Sequence, residues 1–359
     1  MPVEIGVLVV DDSPTFRQLL CRVIEADPQL HVVGEAANGQ QAVQLTHDLR
    51  PDVILMDVVM PGMDGLAATR EIMNQTPTPI VIVSASIDLE AEIAFQAVRA
   101  GALVVLKKPS GPGHAEHHEE TRQLLGTLRT MAGVRVIHHW KRHMPPAPAA
   151  AAGPAPVQFA RELPAEQPAP EIVAIVSSTG GPAALSEIVS KLPADFALPV
   201  VIAQHIAPDF VPALAEWLTR QSPLRVQIAA DGTRLQPGCI TLAPAAAHLR
   251  LVHGRRIALD RRRELSPYIP SGDVLLKSVA TVYGARALGV VLTGMGADGA
   301  AGLRTLYEAG AWTIAQDEAT SVVFGMPREA IARGAARQIL ALPEIGVVIA
   351  NLPSPHRKH

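Results

Sequence analysis

The sequence is poor in cysteine, in charge of one sign and in long apolar runs, and each shortage excludes a class of protein. Cys21 and Cys239 are the only cysteines in 359 residues, so no disulfide framework can form and we expect a reducing, cytoplasmic location. No apolar run approaches the ~18 residues of a membrane span, and the start lacks the basic and apolar regions of a signal peptide. A net charge of −3 provides no overall basic field for nucleic acid.

What the chain does have is enough length and apolar content for two domains. Hydrophobic residues make up 48% of the sequence, which is typical of globular proteins. A Pro/Ala-rich tract from Pro145 to Pro170 cannot form a core and predicts an extended spacer. We therefore expect a first domain over residues 1–129, a linker over 130–170 and a second domain over 171–352.

The first domain repeats a strand followed by a helix five times. Such a pattern predicts a doubly wound, five-stranded parallel sheet with right-handed crossovers. Ser13 and Asp64 are expected to cap the helices that follow the first and third strands. The predicted strands are Ile5–Val10, His31–Glu35, Val53–Met56, Ile80–Val83 and Leu103–Leu106.

Five polar residues follow successive strands of this sheet, at the edge where function gathers in such folds: Asp11, Asp12, Asp57, Ser84 and Lys108. Three clustered carboxylates repel one another unless a cation lies among them, and oxygen ligands favour Mg²⁺. Asp57 could then attack a phosphoryl group while Mg²⁺, Ser84 and Lys108 balance the charge of the phosphoryl oxygens. Any one of the five could be a cap or turn residue, but the set favours a phosphoryl-transfer site.

The first domain resembles the receiver domains of two-component response regulators. The motifs that carry the resemblance are Val9–Ser13, Met56–Gly65, Val83–Ala85 and Lys108-Pro109. The resemblance implies a histidine kinase as phosphodonor and Asp57 as the phosphorylation site. It also implies that Asp12 and Asp57 bind Mg²⁺ directly, Asp11 through water and Val59 through its carbonyl. Val105 departs from the Phe or Tyr that usually serves the activation switch in receivers.

The second domain opens with an apolar, β-branched run, Ile172–Val176, which predicts a buried strand. Ser177, Ser178 and Thr179 follow, and then come two glycines for a tight turn and a proline suited to a first helical turn. A hydroxyl at this position lies beside free backbone N–H groups and a positive helix terminus. On this stretch alone it could be a nucleophile that forms an oxyanion, a residue of a phosphate-binding turn, or a plain N-cap.

The rest of the second domain predicts a mostly parallel α/β fold, in which Ser271 is expected to cap a helix that begins at Asp273. Four shorter strands, over 225–229, 239–242, 248–252 and 256–259, indicate a small antiparallel insertion. His205 follows one predicted strand and Asp298 lies in a glycine-rich loop after another, so Ser178, His205 and Asp298 provide the side chains of a catalytic triad. Alone, His205 could be a core histidine and Asp298 an N-cap. Amides of the Gly294–Gly296 loop could bind an oxyanion.

The second domain resembles the catalytic domain of chemotaxis protein-glutamate methylesterases, the CheB family, which follows a receiver in this order. The matching motifs are Ser178–Gly181, Ala203–His205 and Thr293–Gly299. The resemblance implies hydrolysis of glutamate γ-methyl esters on chemoreceptors, with deamidation of receptor glutamines and no cofactor for the esterase. It implies Ser178 as nucleophile, His205 as general base and then acid, Asp298 as orienting carboxylate, and the Met295 amide as an oxyanion donor. It further implies that the unphosphorylated receiver covers the site and that phosphorylation relieves this block.

Two positions depart from the pattern of that family. Val176 stands where the family usually has glycine, and Gly272 stands where it usually has valine. A valine here is expected to take space beside the nucleophile and to alter the oxyanion geometry or the approach of substrate. A catalytically weak or inactive receiver-linked adaptor is therefore the alternative function. A transcriptional regulator is a further alternative, which the missing helix-turn-helix pattern and basic excess disfavour.

Two sets of residues, the histidine groups and a basic run, take no part in the chemistry described above. Histidines at 114, 117 and 118, and again at 138, 139 and 143, favour a solvated surface over a metal site because no cysteine accompanies them. A basic run at 255–256 and 261–263 is typical of a solvated face. Our hypothesis is that this run helps the domain to dock on an acidic receptor by charge complementarity.

Overall fold

The computed structural model describes residues 4–84, 93, 95–134 and 168–353. Its first sheet has five parallel strands: β1 Ile5–Val10, β2 Leu30–Ala36, β3 Val53–Asp57, β4 Ile80–Ser84 and β5 Val104–Lys107. They lie in the order β2-β1-β3-β4-β5. The helices are α1 Pro14–Glu25, α2 Gly39–Leu49, α3 Gly65–Gln75 and α4 His117–Ala132, and residues 95–99 are also helical. The predicted doubly wound parallel sheet is confirmed.

Helix caps in this domain follow the sequence prediction. The Phe16 amide donates to Ser13 Oγ at 3.4 Å, and the Ala67 amide donates to Asp64 Oδ1 at 2.7 Å. Each bond satisfies one of the N–H groups that a helix start leaves without a partner. The two caps therefore begin α1 and α3, the helices that follow the strands leading to Asp11 and Asp57.

The second sheet has seven strands, all parallel, in the order β14-β13-β12-β6-β7-β9-β8. A separate antiparallel pair, β10 with β11, packs beside it. The strands are β6 Ile172–Ser177, β7 Val200–Gln204, β8 Arg225–Ile228, β9 Cys239–Leu242, β10 His248–Val252, β11 Arg256–Asp260, β12 Ala287–Val291, β13 Trp312–Gln316 and β14 Gln338–Leu340. The predicted mostly parallel fold with a small antiparallel insertion is confirmed.

The insertion is smaller than the four strands expected from the sequence. β9 pairs in parallel with β7 through Val200 and Ile240, and β8 extends the sheet beyond β9. Of the four strands, only β10 and β11 pair in antiparallel fashion. A tight hairpin joins them, in which Gly254 and Arg255 take positive φ angles of 80° and 59°. The longer connection over 229–238 instead returns the chain so that β8 and β9 run in the same direction.

Helices cover the second sheet, and the strand order positions the site. They are α5 Gly181–Val189, α6 Phe210–Gln221, α7 Gly272–Tyr283, α8 Ala300–Glu308, α9 Met326–Ala332 and α10 Leu342–Ala350. Because β7, β6 and β12 are neighbours, the residues after their carboxyl ends meet at one edge. None of the described helices combines the length and apolar character needed to cross a membrane. Most of the expected linker, residues 135–167, lies outside the described residues.

Candidate active site

Three carboxylates at the edge of the first sheet lie close together, and the Lys108 ammonium contacts two of them. Carboxylate oxygens of Asp11, Asp12 and Asp57 all lie within 4.8 Å of one another. Lys108 Nζ lies 2.7 Å from Asp11 Oδ2 and 2.8 Å from Asp57 Oδ2. A compact set of carboxylate oxygens is the donor set that Mg²⁺ prefers, so these residues fit the ion that the sequence predicts.

The other predicted residues of this edge lie in mixed environments. Ser84 is fully buried at the end of β4, and Val59 is 45% exposed. Burial alone would lower the pKa of the Lys108 ammonium, but its hydrogen bonds to Asp11 and Asp57 outweigh burial and raise that pKa above its ordinary value. No pattern in the sequence pointed to Phe16, whose ring centroid lies 5.0 Å from Lys108 Nζ. The lysine is therefore a permanent cation held at the carboxylate cluster.

The second sheet brings the three triad candidates to one edge. His205 Nε2 lies 2.8 Å from Asp298 Oδ2. Ser178 follows β6, which pairs with β7 as far as Ser177 and Gln204, so Ser178 and His205 are the next residues beyond the paired strands. Among the described residues no hydrogen bond joins Ser178 Oγ to His205, which is common when substrate is absent. With Nε2 on Asp298, Nδ1 is the ring nitrogen left for a second hydrogen-bond partner.

Asp298 is held by the start of α7. Its Oδ1 accepts hydrogen bonds from Ser271 Oγ at 2.7 Å and the Asp273 amide at 3.1 Å, and its Oδ2 accepts one from the Gly272 amide at 2.6 Å. Burial alone would raise the pKa of Asp298, but the bonds from His205, Ser271 and Gly272 hold it below its ordinary value. The helix N-terminus thus keeps the carboxylate charged beside the imidazole.

This contact was missed by sequence analysis, which offered Asp298 as the cap of the helix that follows it. The cap of α8 is Gly299, at a φ of 89°, with no side-chain bond. Ser271 is the N-cap of α7, as predicted, and its hydroxyl also accepts from the Val274 amide at 3.3 Å. A helix start that can hold an anion was visible in the sequence, but its partner, 27 residues away, was not.

The glycine-rich loop packs directly against the serine. The Ser178 amide donates to Thr293 O at 3.0 Å, and a Cβ added to Gly294 would lie 2.7 Å from Ser178 Cβ. Gly294 is fixed on its other side, since its carbonyl accepts from the Met326 amide at 2.9 Å. The Met295 amide makes no hydrogen bond to any described residue, so it is available to a developing oxyanion.

Comparison with known proteins matches two regions of the chain to two families. Residues 7–118 match the response regulator receiver domain model, and residues 173–349 match the CheB methylesterase model. A protein-glutamate methylesterase/protein-glutamine glutaminase of Myxococcus xanthus (strain DK1622) is 44% identical over 339 residues, 94% of each chain. The chain belongs to the CheB methylesterase family.

Two further proteins are similar to this chain. A protein-glutamate methylesterase/protein-glutamine glutaminase of Anaeromyxobacter dehalogenans (strain 2CP-C) is 43% identical over 94% of this chain and 96% of its own length. The crystal structure of the Thermotoga maritima CheB methylesterase catalytic domain is 37% identical, covers 51% of this chain and 99% of that one, and aligns with a TM-score of 0.49.

The two departures from the family pattern meet in space. Val176 is fully buried, and a Cβ added to Gly272 would lie 2.2 Å from Val176 Cγ1. Val176 therefore fills the space that a side chain at position 272 would need. The effect of this valine on the oxyanion geometry and on the approach of substrate stays a prediction.

One aromatic residue near the triad was not found from the sequence. The Tyr268 ring stacks on the His205 imidazole, with 5.3 Å between centroids and 11° between planes. Tyr268 is 45% exposed. It covers one face of the imidazole and adds an apolar side chain to the rim of the CheB site.

Three of the five arginines in the basic run have hydrogen-bond or ion-pair partners within the chain. Arg255 pairs with Glu171, Arg256 donates to Gly232 O and Arg262 pairs with Asp260. Arg261 and Arg263 are exposed and have no ion pair with a described residue. Among the described residues the acidic trio is the only metal-compatible cluster, so His114, His117 and His118 form none. The second histidine group, 138, 139 and 143, lies outside the described residues.

The two domains of this CheB family member contact each other. Phe95 of the receiver stacks on Trp217 at 5.3 Å between centroids and meets Phe210 edge-on at 6.4 Å. All three rings are buried. Met295 and the neighbouring Val322 and Val323 pack against the apolar cluster of the receiver. The loop that carries the available Met295 amide is thus in contact with the receiver.

Proposed function

We propose that this chain is a phosphorylation-activated serine esterase that hydrolyses glutamate γ-methyl esters on chemoreceptors and deamidates receptor glutamines. The observation that carries the proposal is the His205–Asp298 pair beside Ser178, at one edge of the parallel sheet. The adaptor alternative rests on Val176, whose side chain fills space that Gly272 leaves open.

The acylation step uses the three side chains and the loop. Ser178 Oγ attacks the ester carbonyl carbon while His205 Nδ1 takes the hydroxyl proton. Asp298, kept ionised by the start of α7, balances the imidazolium charge. The Met295 amide binds the oxygen anion of the tetrahedral intermediate. The bond to the methoxy oxygen then breaks, and His205 returns its proton so that methanol leaves.

Deacylation repeats the same chemistry with water. His205 takes a proton from a water molecule, the hydroxide attacks the acyl carbon, and the bond to Ser178 Oγ breaks as the serine recovers its proton. The product is a glutamate carboxylate. For a glutamine substrate the first leaving group is ammonia instead of methanol, so the same residues serve both reactions.

Phosphorylation of Asp57 by a histidine kinase is the regulatory input of the proposal. Asp57 Oδ attacks the phosphoryl group, while Lys108 and Ser84 contact the phosphoryl oxygens. Asp12 and Asp57 would hold Mg²⁺ directly, with Asp11 acting through water and Val59 through its carbonyl; the bound ion would neutralise phosphoryl charge. Because Met295 packs against the receiver, release of the receiver would open the oxyanion loop.

Methanol release from methylated receptor tests this function. Wild type should be stimulated by a small phosphodonor with Mg²⁺, Ser178→Ala should be silent, and Asp57→Asn should keep its basal rate without stimulation. A chelator should remove stimulation from wild type and leave basal activity. Equal activity in wild type and Ser178→Ala would refute the catalytic assignment.

A further inference from the structure

A buried glutamine joins the strand ends that carry the proposed nucleophile and base. Gln204 is the last residue of β7 and is 5% exposed. Its Nε2 donates to the carbonyl of Ser178 at 2.8 Å and to the carbonyl of His205 at 2.8 Å. Both N–H bonds of one amide are therefore used to tie the backbone of Ser178 to that of His205.

Ser177 orients this amide. Its hydroxyl donates to Gln204 Oε1 at 2.6 Å, and its side chain is fully buried. The two backbone carbonyls can only accept hydrogen bonds, so the NH₂ group must face them and the amide oxygen must face Ser177. The serine beside the nucleophile is thus a hydrogen-bond donor to Gln204 and is not a second candidate nucleophile.

The Gln204 hydrogen bonds lie beyond the last paired residues of β6 and β7, where strand pairing no longer fixes the distance between the two backbones. Pairing of β6 with β7 ends at Ser177 and Gln204, and the last backbone bond between them runs from the His205 amide to Ser177 O at 3.0 Å. Beyond that bond, among the described residues, the hydrogen bonds that join the Ser178 segment to the His205 segment come from the Gln204 side chain. Gly181 leaves the necessary room, since a Cβ there would lie 2.0 Å from Gln204 Oε1.

We infer that Gln204, oriented by Ser177, is a positioning residue that sets the separation of Ser178 and His205 for proton transfer. The inference rests on the proposed function. A general base must lie within about 2.6–3.2 Å of the group it deprotonates. A misplacement of about 1 Å can reduce the rate on the order of 100-fold. One amide that fixes both backbones controls this separation without touching substrate.

Gln204→Glu is the sharpest test because it keeps the size of the side chain and removes both N–H donors. In the full chain with phosphodonor and Mg²⁺, we expect kcat to fall on the order of 100-fold and KM for methylated receptor to stay within about twofold. Ser177→Ala, which keeps the amide but releases its orientation, should lose about tenfold in kcat.

Gln338→Leu is the matched control, since it removes a buried glutamine from the edge strand β14. It should change thermal stability and leave kcat unchanged. Wild-type kcat in both Gln204→Glu and Ser177→Ala would overturn the inference, as would losses that appear in KM alone. If Gln204→Glu fails to fold, Ser177→Ala decides alone. Activity retained by Ser178→Ala would instead refute the proposed function, so the two failures are distinguishable.

Discussion

Asp298 shows how a single residue of this site depends on contacts that are distant in sequence. Its carboxylate accepts bonds from His205, from the Ser271 hydroxyl and from the amides of Gly272 and Asp273. Three of the four donors belong to the start of α7, which also provides the positive end of a helix. Both carboxylate oxygens therefore accept bonds from the start of α7 besides the bond to the imidazole, and these bonds stabilise the ionised form of Asp298.

Ser271→Ala tests that arrangement through pH. The pKa of Asp298 is held below its ordinary value of 3.8, so its contribution to stability is complete above pH ~4 and is lost as pH falls through the lower folded value. We expect the variant to lose about 1–3 kcal/mol at pH 7, with a smaller loss at pH 3. Urea unfolding of the catalytic domain at both pH values measures this. An equal loss at both would mean that Ser271 acts only as a neutral helix cap.

A double-mutant cycle can measure the coupling between Val176 and Gly272 in the free energy of unfolding. Gly272→Val alone should clash with Val176 and destabilise the domain by about 1–3 kcal/mol. Val176→Gly alone leaves a cavity and should cost a similar amount. The double variant should recover most of both losses, with a coupling of at least about 1 kcal/mol in the free energy of unfolding. Additive losses would contradict the contact, and Val347→Gly, at an exposed position, serves as a surface control.

At the scale of elements, local sequence patterns predicted the strand ends and the helix cap that form the site. Strand ends carrying Asp57 and Ser178 and the cap at Ser271 followed from apolar runs and turn residues, and the structure has each of them. The pairing of β8 and β9 was not predictable, because short strands do not reveal which neighbour they join. The Gln204 amide was missed for a similar reason: its bond to Ser178 spans 26 residues, and no local signal links them.

The loop after β11 carries the prediction about receptor docking. Reversal of Arg261 and Arg263 to Glu should slow receptor demethylation at low salt, through a higher KM or a lower association rate, because these arginines are exposed and have no ion pair among described residues. The difference should shrink at high salt. Reversal of Arg225 and Arg333, also exposed, is the charge-matched control. Equal loss in both pairs would refute a role specific to this loop.

For the whole molecule, the contact between the two domains is the feature that bears on the proposed regulation. Phe95 is buried against Trp217 and Phe210, and Met295 packs against the receiver. An aromatic contact of this kind stabilises the closed arrangement by the area it buries and by its ring geometry. Phosphorylation at Asp57 must act against this contact if it is to free the oxyanion loop.

Phe95→Ala should weaken the closed arrangement. We expect basal methanol release to rise on the order of tenfold, and the stimulation by phosphodonor to fall in proportion, because more molecules are already open. Rates with and without phosphodonor measure the ratio. Phe196→Ala, which removes a buried phenylalanine inside the catalytic domain, should lower stability without raising basal activity. A basal rate unchanged by Phe95→Ala would contradict a restraining role for this contact.

The stacked pair of Phe95 and Trp217 also gives the protein an optical signal of its own. Trp217 is 2% exposed while the rings are together, and separation would admit water to its indole and shift its emission to longer wavelength. Trp312 is also buried, in β13 of the core, and would keep its emission. The red shift in wild type after addition of phosphodonor, and its absence in Trp217→Phe, would follow the opening of the molecule in real time without an attached dye.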